Sequence, residues 1–282
     1  MARFDSALGR YVYVDIEDVE YRVYFEENGA GTPLLLQHTA GADGRQWRHV
    51  LEDPALASHF RMIAYDLPFH GKSVPPTSER WWEQEYRLTR SFLEAVPVTL
   101  KHALELENPI YMGSSIGGHL AVDLALDFPD EFSAVVGLEA ATYTPGGFTD
   151  EFHHPEISND YKAHAMYGLM SPTSPEAYRR ETVFVYSQGA PAAFKGDLYY
   201  YSVDHDVRQS AANVDTEKVA VAILNGEYDW SGTPERGREL AELIPGATYQ
   251  TMEGLGHFPM SEDPERFLEI IRPVLMGLAS PP

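Results

Sequence analysis

Pro109-Ile110-Tyr111-Met112-Gly113-Ser114-Ser115-Ile116-Gly117 is the stretch that decides the fold. A short apolar run leads into Gly-x-Ser-x-Gly, and a helix-like run follows from Ile116 to Phe128. A serine between a strand and a helix in this pattern reads as a nucleophile elbow. A serine hydroxyl is a weak nucleophile, so it must be exposed and aimed at a base. A sharp strand-to-helix turn does this and points the next backbone N–H at a developing oxyanion. Glycines two positions either side avoid a Cβ that would crowd the serine or hold the helix off the strand. Ser115 is central, and Ser114 is displaced by one.

Outward from the elbow, Pro33-Leu34-Leu35-Leu36-Gln37, Met62-Ile63-Ala64-Tyr65, Ala134 to Leu138 and Val219 to Leu224 are unbroken apolar runs. Such runs are expected of strands buried on both faces of a parallel sheet. Glu85 to Leu106 carries Leu88, Phe92, Leu93, Val96, Leu100 and Leu104 at helical intervals, with a kink expected at Pro97. The alternation predicts an α/β fold, a mostly parallel sheet with helices on both faces. Tyr11-Val12-Tyr13-Val14 and Glu20 to Phe25 read as an N-terminal antiparallel hairpin. From Ala141 to Ala212 the rhythm breaks into short aromatic-rich segments punctuated by Thr144-Pro145-Gly146-Gly147, Ser171-Pro172 and Gly189-Ala190-Pro191. Residues 141–212 are therefore expected to be an inserted helical cap, with 1–140 and 213–282 forming the main domain. Beyond it, Pro234 to Leu243 reads as a helix, Ala247 to Met252 as a last strand and Pro264 to Leu278 as a terminal helix.

Forty-three acidic against 21 basic residues leave a formal charge of −22, which repels nucleic-acid phosphates and anionic membrane surfaces. The chain has no cysteine, so disulfides, thiolate metal sites and thiol nucleophiles are excluded. Met1 to Asp18 holds Arg3, Asp5, Arg10, Asp15, Glu17 and Asp18 with no signal-length apolar run, so export is not expected. With no apolar stretch of spanning length, a cytoplasmic protein is the expectation.

A serine needs a base, and of eleven histidines His257 stands out, in the loop Gly254-Leu255-Gly256-His257-Phe258-Pro259-Met260 between the last strand and the last helix. A carboxylate must fix the imidazole tautomer. Asp229, just past the strand ending Ile223-Leu224-Asn225-Gly226, is the candidate, with Glu227 and Glu139 as alternatives. His38 and His70 are expected to bond local backbone, and His119 to pack behind the elbow. His153-His154 and Asp204-His205-Asp206 look metal-like, but adjacent residues diverge in direction, and solvated cap residues are expected. Trp81-Trp82 is read as a plug at a sheet edge.

Taken together the motifs resemble an α/β-hydrolase of the capped, lipase-and-esterase-like kind. Gln37-His38-Thr39-Ala40-Gly41 stands at that family's oxyanion loop, and Asp66-Leu67-Pro68-Phe69-His70-Gly71-Lys72-Ser73 resembles its Asp-x-Pro-x-His-Gly-x-Ser turn. Asn225 to Asp229 and Gly256 to Pro259 match its acid and histidine loops. The resemblance implies a catalytic triad of Ser115, Asp229 and His257, with the backbone N–H groups of Ala40 and Ile116 as the oxyanion hole. It implies a small-molecule carboxylic ester or lactone as substrate and needs neither cofactor nor metal. Thr39 stands where the family usually has glycine, and a β-branched residue does not readily take a positive φ, so a differently shaped loop is expected. The Thr39 hydroxyl and the cap aromatics, Tyr143 among them, are candidates to line the substrate pocket. Cleavage of a carbon–carbon bond in a diketone, cofactor-free peroxidase-like chemistry, and a ligand receptor on the same fold are the alternatives.

Overall fold

The computed structural model describes residues 2 and 4–279. Met1, Arg3 and 280–282, the end of the segment expected to belong to the main domain, lie outside the described residues. The strands are β1 (Leu8–Ile16), β2 (Val19–Asn28), β3 (Thr32–Gln37), β4 (Phe60–Tyr65), β5 (Ile110–Ser114), β6 (Ala134–Leu138), β7 (Ala220–Gly226) and β8 (Thr248–Met252). They form one sheet in the order β1-β2-β4-β3-β5-β6-β7-β8. The pairs β1·β2 and β2·β4 are antiparallel, and every pair from β4·β3 to β7·β8 is parallel. The expected hairpin is present, closed by Glu17 and Asp18, both at positive φ.

Helices α1 (Arg48–Leu51) and α2 (Pro54–Ala57) follow β3, α3 (Arg90–Ala103) precedes β5, and α4 (Ile116–Asp127) follows it. Residues between β6 and β7 form α5 (Asp160–Tyr167), α6 (Glu176–Gln188) and α7 (Pro191–Tyr199), the last running into a π-helical turn over Tyr200–Asp204. Then come α8 (Pro234–Leu243), α9 (Pro259–Glu262) and α10 (Pro264–Ala279).

Side chains alternate across a strand, so a run apolar at every position must be covered twice. Leu35, Ile63, Tyr111, Val135 and Ile223 join one buried cluster with Leu93 and Val96 of α3, Leu120 and Leu124 of α4 and Leu240 of α8. Leu34, Leu36, Met62, Ile110, Met112 and Val136 join another with Val50, Leu56, Met260, Phe267, Ile271 and Leu275. Helices α3, α4 and α8 thus cover one face, and α1, α2, α9 and α10 the other.

Two readings change. The helix expected from Glu85 begins at Arg90, where the Thr89 hydroxyl caps the Phe92 N–H at 3.4 Å; Leu88 N–H is instead drawn to the Gly196 carbonyl at 3.0 Å. Trp81 and Trp82 do not plug an edge: they are 45% and 62% exposed, resting edge-on against each other.

Candidate active site

Ser115 sits between β5 and α4 with φ 58° and ψ −112°, a left-handed conformation costly for a residue bearing a Cβ. The turn is held by packing that only glycine permits. A Cβ on Gly113 would lie 2.5 Å from the Gly117 carbonyl oxygen, and one on Gly118 would lie 2.0 Å from that of Leu138. Gly118, beyond the motif, is therefore the residue that lets α4 close on β6. The Tyr111 hydroxyl donates to the Gly117 carbonyl at 3.1 Å and Ser115 N–H to that of Leu138 at 2.9 Å. The neighbouring Ser114 is fully buried, and its hydroxyl has no hydrogen-bond partner among the described residues.

Asp229 and His257 are brought together: Asp229 Oδ2 lies 2.6 Å from His257 Nδ1, with both side chains almost wholly buried. Asp229 Oδ1 accepts from the Ser231 N–H and hydroxyl, each at 2.8 Å. Burial alone would raise this carboxyl. The facing imidazole, with hydrogen bonds from Glu139 and the Gly232 N–H, outweighs burial and holds it well below the usual carboxylate range. Glu139 directly follows β6 at φ 57°, accepts the Gly226 N–H at 2.9 Å on each oxygen, and lies beside Asp229. Burial and the Asp229 charge push the Glu139 carboxyl well above its ordinary value, so it is the neutral member of the pair. Glu227 faces elsewhere, accepting the Gly254 N–H at 2.8 Å.

On the other side of the elbow, the loop after β3 places its left-handed residue at Gly41, φ 64°; Thr39 lies outside that region and adopts the turn without strain. The Thr39 N–H donates to Gln46 Oε1 at 3.0 Å, and its hydroxyl is shared between Gln46 and the Tyr186 hydroxyl. The Gly41 N–H donates to Asp197 Oδ2 at 2.7 Å. Among the described residues no hydrogen bond engages the Ala40 N–H between them, and Ile116 stands at the first helical position, where an N–H has no intrahelical acceptor. Tyr143 is half-buried, its ring under the Arg208 guanidinium at 4.6 Å.

The remaining histidines sort by their partners. His38 is fully buried, donates from Nδ1 to the Thr39 carbonyl at 2.8 Å and accepts the Leu67 N–H on Nε2 at 3.0 Å. Burial, with His70 nearby, pulls it down to about 4, so it is neutral. His70 bonds the Pro68 carbonyl as expected, but its Nε2 also reaches Asp197 at 2.8 Å. His119 donates to the Ser115 carbonyl from Nδ1 at 2.9 Å and meets the Thr144 hydroxyl at 3.2 Å. His205 is not a solvated residue: it is fully buried, with Nδ1 2.9 Å from Asp123 and Nε2 3.1 Å from the Ala141 carbonyl. No group of three or more metal-binding side chains that could hold an ion is found among the described residues.

Residues 32–171 match the family model for the alpha/beta hydrolase fold. The chain belongs to the α/β-hydrolase fold family. It is 24% identical over 268 residues to the 2-hydroxy-6-oxo-6-(2'-aminophenyl)hexa-2,4-dienoic acid hydrolase of Metapseudomonas resinovorans, covering 90% of this chain and 87% of that one. A thermophilic esterase from Thermogutta terrifontis superimposes with TM-score 0.80 at 19% identity, over 96% of this chain and 100% of that one. The enol-lactonase of Burkholderia xenovorans does so with TM-score 0.78 at 20% identity, over 94% and 100%.

Two supporting side chains escaped the sequence reading. Glu262, fully buried on α9, accepts the Gly256 N–H at 2.6 Å, the Ser171 N–H and Ser174 hydroxyl at 3.1 Å, and the Phe258 N–H at 3.3 Å. It thus grips the loop on both sides of His257. Arg236, on α8, donates to the Ser231 carbonyl at 2.6 Å, to the Thr144 hydroxyl at 2.8 Å and to the Tyr143 carbonyl. It ties the acid loop to the chain leaving β6. Spacing from His257 hints at Glu262 alone, since an acid one turn into the following helix suits the N–H groups at that helix start.

Proposed function

We propose that this chain is a serine hydrolase that cleaves a small to medium, apolar or aromatic carboxylic ester or lactone, with residues 141–212 as a cap over the site. The observation that carries the reading is the buried 2.6 Å contact between Asp229 Oδ2 and His257 Nδ1, in a chain that also holds Ser115 in a strained strand-to-helix elbow. With Nδ1–H donated to Asp229, the imidazole lone pair is left on Nε2, the form in which histidine accepts the Ser115 hydroxyl proton. Ser115 Oγ then attacks the carbonyl carbon, and the new oxyanion accepts the N–H groups of Ala40 and Ile116. Each such donor is worth about 3 kcal/mol to the transition state. As the intermediate collapses, His257 returns its proton to the leaving alkoxide and an acyl-serine remains. Water, deprotonated by the same Nε2, attacks the acyl carbon, and the carboxylic acid departs with Ser115 regenerated.

A second reading, hydrolysis of a carbon–carbon bond beside a ketone, is favoured by the relative named for a 6-oxo-dienoic acid, a compound whose name contains no ester. The same serine, histidine and oxyanion donors would serve it, with a stabilised carbanion leaving in place of the alkoxide.

The test is Ser115→Ala assayed on aryl esters, lactones and a β-diketone. Turnover is expected to vanish on the true substrate class while the thermal melt stays cooperative; retained turnover would overturn the assignment.

A further inference from the structure

We propose that Asp197, on α7 of the cap, is a positioning residue for the oxyanion loop, holding the Gly41 amide so that the free Ala40 N–H is aimed at the substrate carbonyl. The inference rests on the serine-hydrolase reading above. Three observations carry it. Asp197 is fully buried and satisfied by three donors that come from three separate segments of the chain. Its Oδ2 takes the Gly41 N–H at 2.7 Å and His70 Nε2 at 2.8 Å, and its Oδ1 takes the Tyr86 hydroxyl at 3.1 Å. The amides either side of Ala40 are therefore both fixed by side chains, Thr39 by Gln46 and Gly41 by Asp197. Fixing the two flanking peptide planes fixes the direction of the one between them.

The second observation is the state of His70. Both ring nitrogens face acceptors, the Pro68 carbonyl at 2.9 Å and Asp197. A neutral imidazole has one N–H, and only the imidazolium supplies two. Burial opposes that charge, but Asp197 outweighs it and raises the His70 pKa, whereas His38, its ring tilted by 45° with centroids 5.0 Å apart, is neutral. The Gly41 amide is thus held by a carboxylate that also pairs with His70, and hydrogen bonds to such a charged group are short and strong. Third, α7 fits the loop at contact distance. A Cβ on Gly41 would lie 2.6 Å from the Phe194 ring, and one on Gly196 would lie 2.1 Å from Tyr86. The Tyr186 hydroxyl of α6 adds a bond to Thr39. The loop that the main domain contributes is completed by the cap.

The experiment compares Asp197→Ala, Asp197→Asn and Ser115→Ala for kcat and KM on an aryl ester, and for the rate of serine phosphonylation by an aryl phosphonate ester, which expels its aryloxide. Asparagine keeps an oxygen for the Gly41 N–H, and alanine does not. Asp197→Ala is expected to lower kcat and the phosphonylation rate about 10- to 100-fold, with KM within about threefold of the parent. Asp197→Asn should recover to within about fivefold of the parent. A folded Asp197→Ala with parental kcat, or an asparagine variant as impaired as the alanine one, would overturn the proposal. Should alanine leave His70 unpaired and unfold the chain, His70→Gln/Asp197→Ala removes both charges. It is expected to show the same kcat loss, and parental kcat there would be equally fatal. If Ser115→Ala keeps turnover, the hydrolase reading fails, independently of Asp197.

Discussion

Replacing Asp229 by asparagine should lower kcat about 10⁴-fold, because of where the present hydrogen bonds would force the amide to point. Asp229 Oδ1 receives two donors, the Ser231 N–H and hydroxyl at 2.8 Å. An amide nitrogen cannot accept from them, so the asparagine side chain keeps its oxygen there and turns its NH₂ toward His257. Nδ1 then becomes the acceptor, the ring proton moves to Nε2, and on the proposed mechanism the nitrogen that must take the Ser115 proton no longer can. Losing a charge-assisted buried bond costs about 1.5–3 kcal/mol. The imidazolium of the transition state, formed beside a dipole instead of a carboxylate, loses further stabilisation, for a total of about 5 kcal/mol. The comparator is Glu139→Gln. Glu139 is neutral, and glutamine retains both an acceptor for the Gly226 N–H and a donor toward Asp229, so kcat should stay within about threefold. The assay is kcat on the best ester from the substrate panel, with melting curves to establish folding. If Asp229→Asn stays within about tenfold of the parent while Glu139→Gln falls by about 10³, Glu139 is the acid and the tautomer argument is wrong.

Glu262→Gln sets an NH₂ against the Phe258 N–H while the remaining oxygen keeps the other three donors, and should cost about 2 kcal/mol, a fall of about 3–4 °C in Tm. An unchanged Tm would mean that the loop around His257 is held by packing instead. Arg236→Lys keeps the charge but loses the fork that spans the Ser231 and Tyr143 carbonyls, so kcat should drop about tenfold with KM little changed; parental kcat would show that the acid loop is rigid without it. His38, pulled from 6.5 to about 4 by burial, resists protonation in the folded state. Its contribution is present above pH 6.5 and lost as pH falls toward 4, about 3 kcal/mol in all. His38→Gln should flatten the decline in stability between those limits, and urea titrations showing the parental slope would count against this account.

What the sequence discloses about this site follows from where the chemistry leaves a local mark. Ser115 needs a strained turn, so glycines gather around it, and His257 lies on a loop that must approach neighbouring backbone closely: a Cβ on Gly256 would lie 2.5 Å from Ser171 N. Asp229 is legible from its place after β7, and only its contact with His257 separates it from Glu139. Thr39 misleads because the family pattern suggests glycine there, while the turn places its positive φ at Gly41. Asp204-His205-Asp206 misleads for the opposite reason. Spacing along the chain cannot show that Asp123 of α4 already occupies His205.

Asp197 is the extreme case. It lies 156 residues from Gly41, in a segment whose short helices and turns give no periodic signal, and a buried aspartate there looks like any polar residue of a loop-rich insertion. Long-range bonds between a carboxylate and a backbone N–H leave no residue type at the receiving end, since every amide but proline's is alike. On the proposed function, sequence therefore exposes the groups that would react and conceals those that would aim them. On the reading above the concealed group belongs to the cap. A cap exchanged for that of a relative would then carry off Asp197 and Tyr186 together, and would alter the rate of carbonyl attack as well as the choice of substrate.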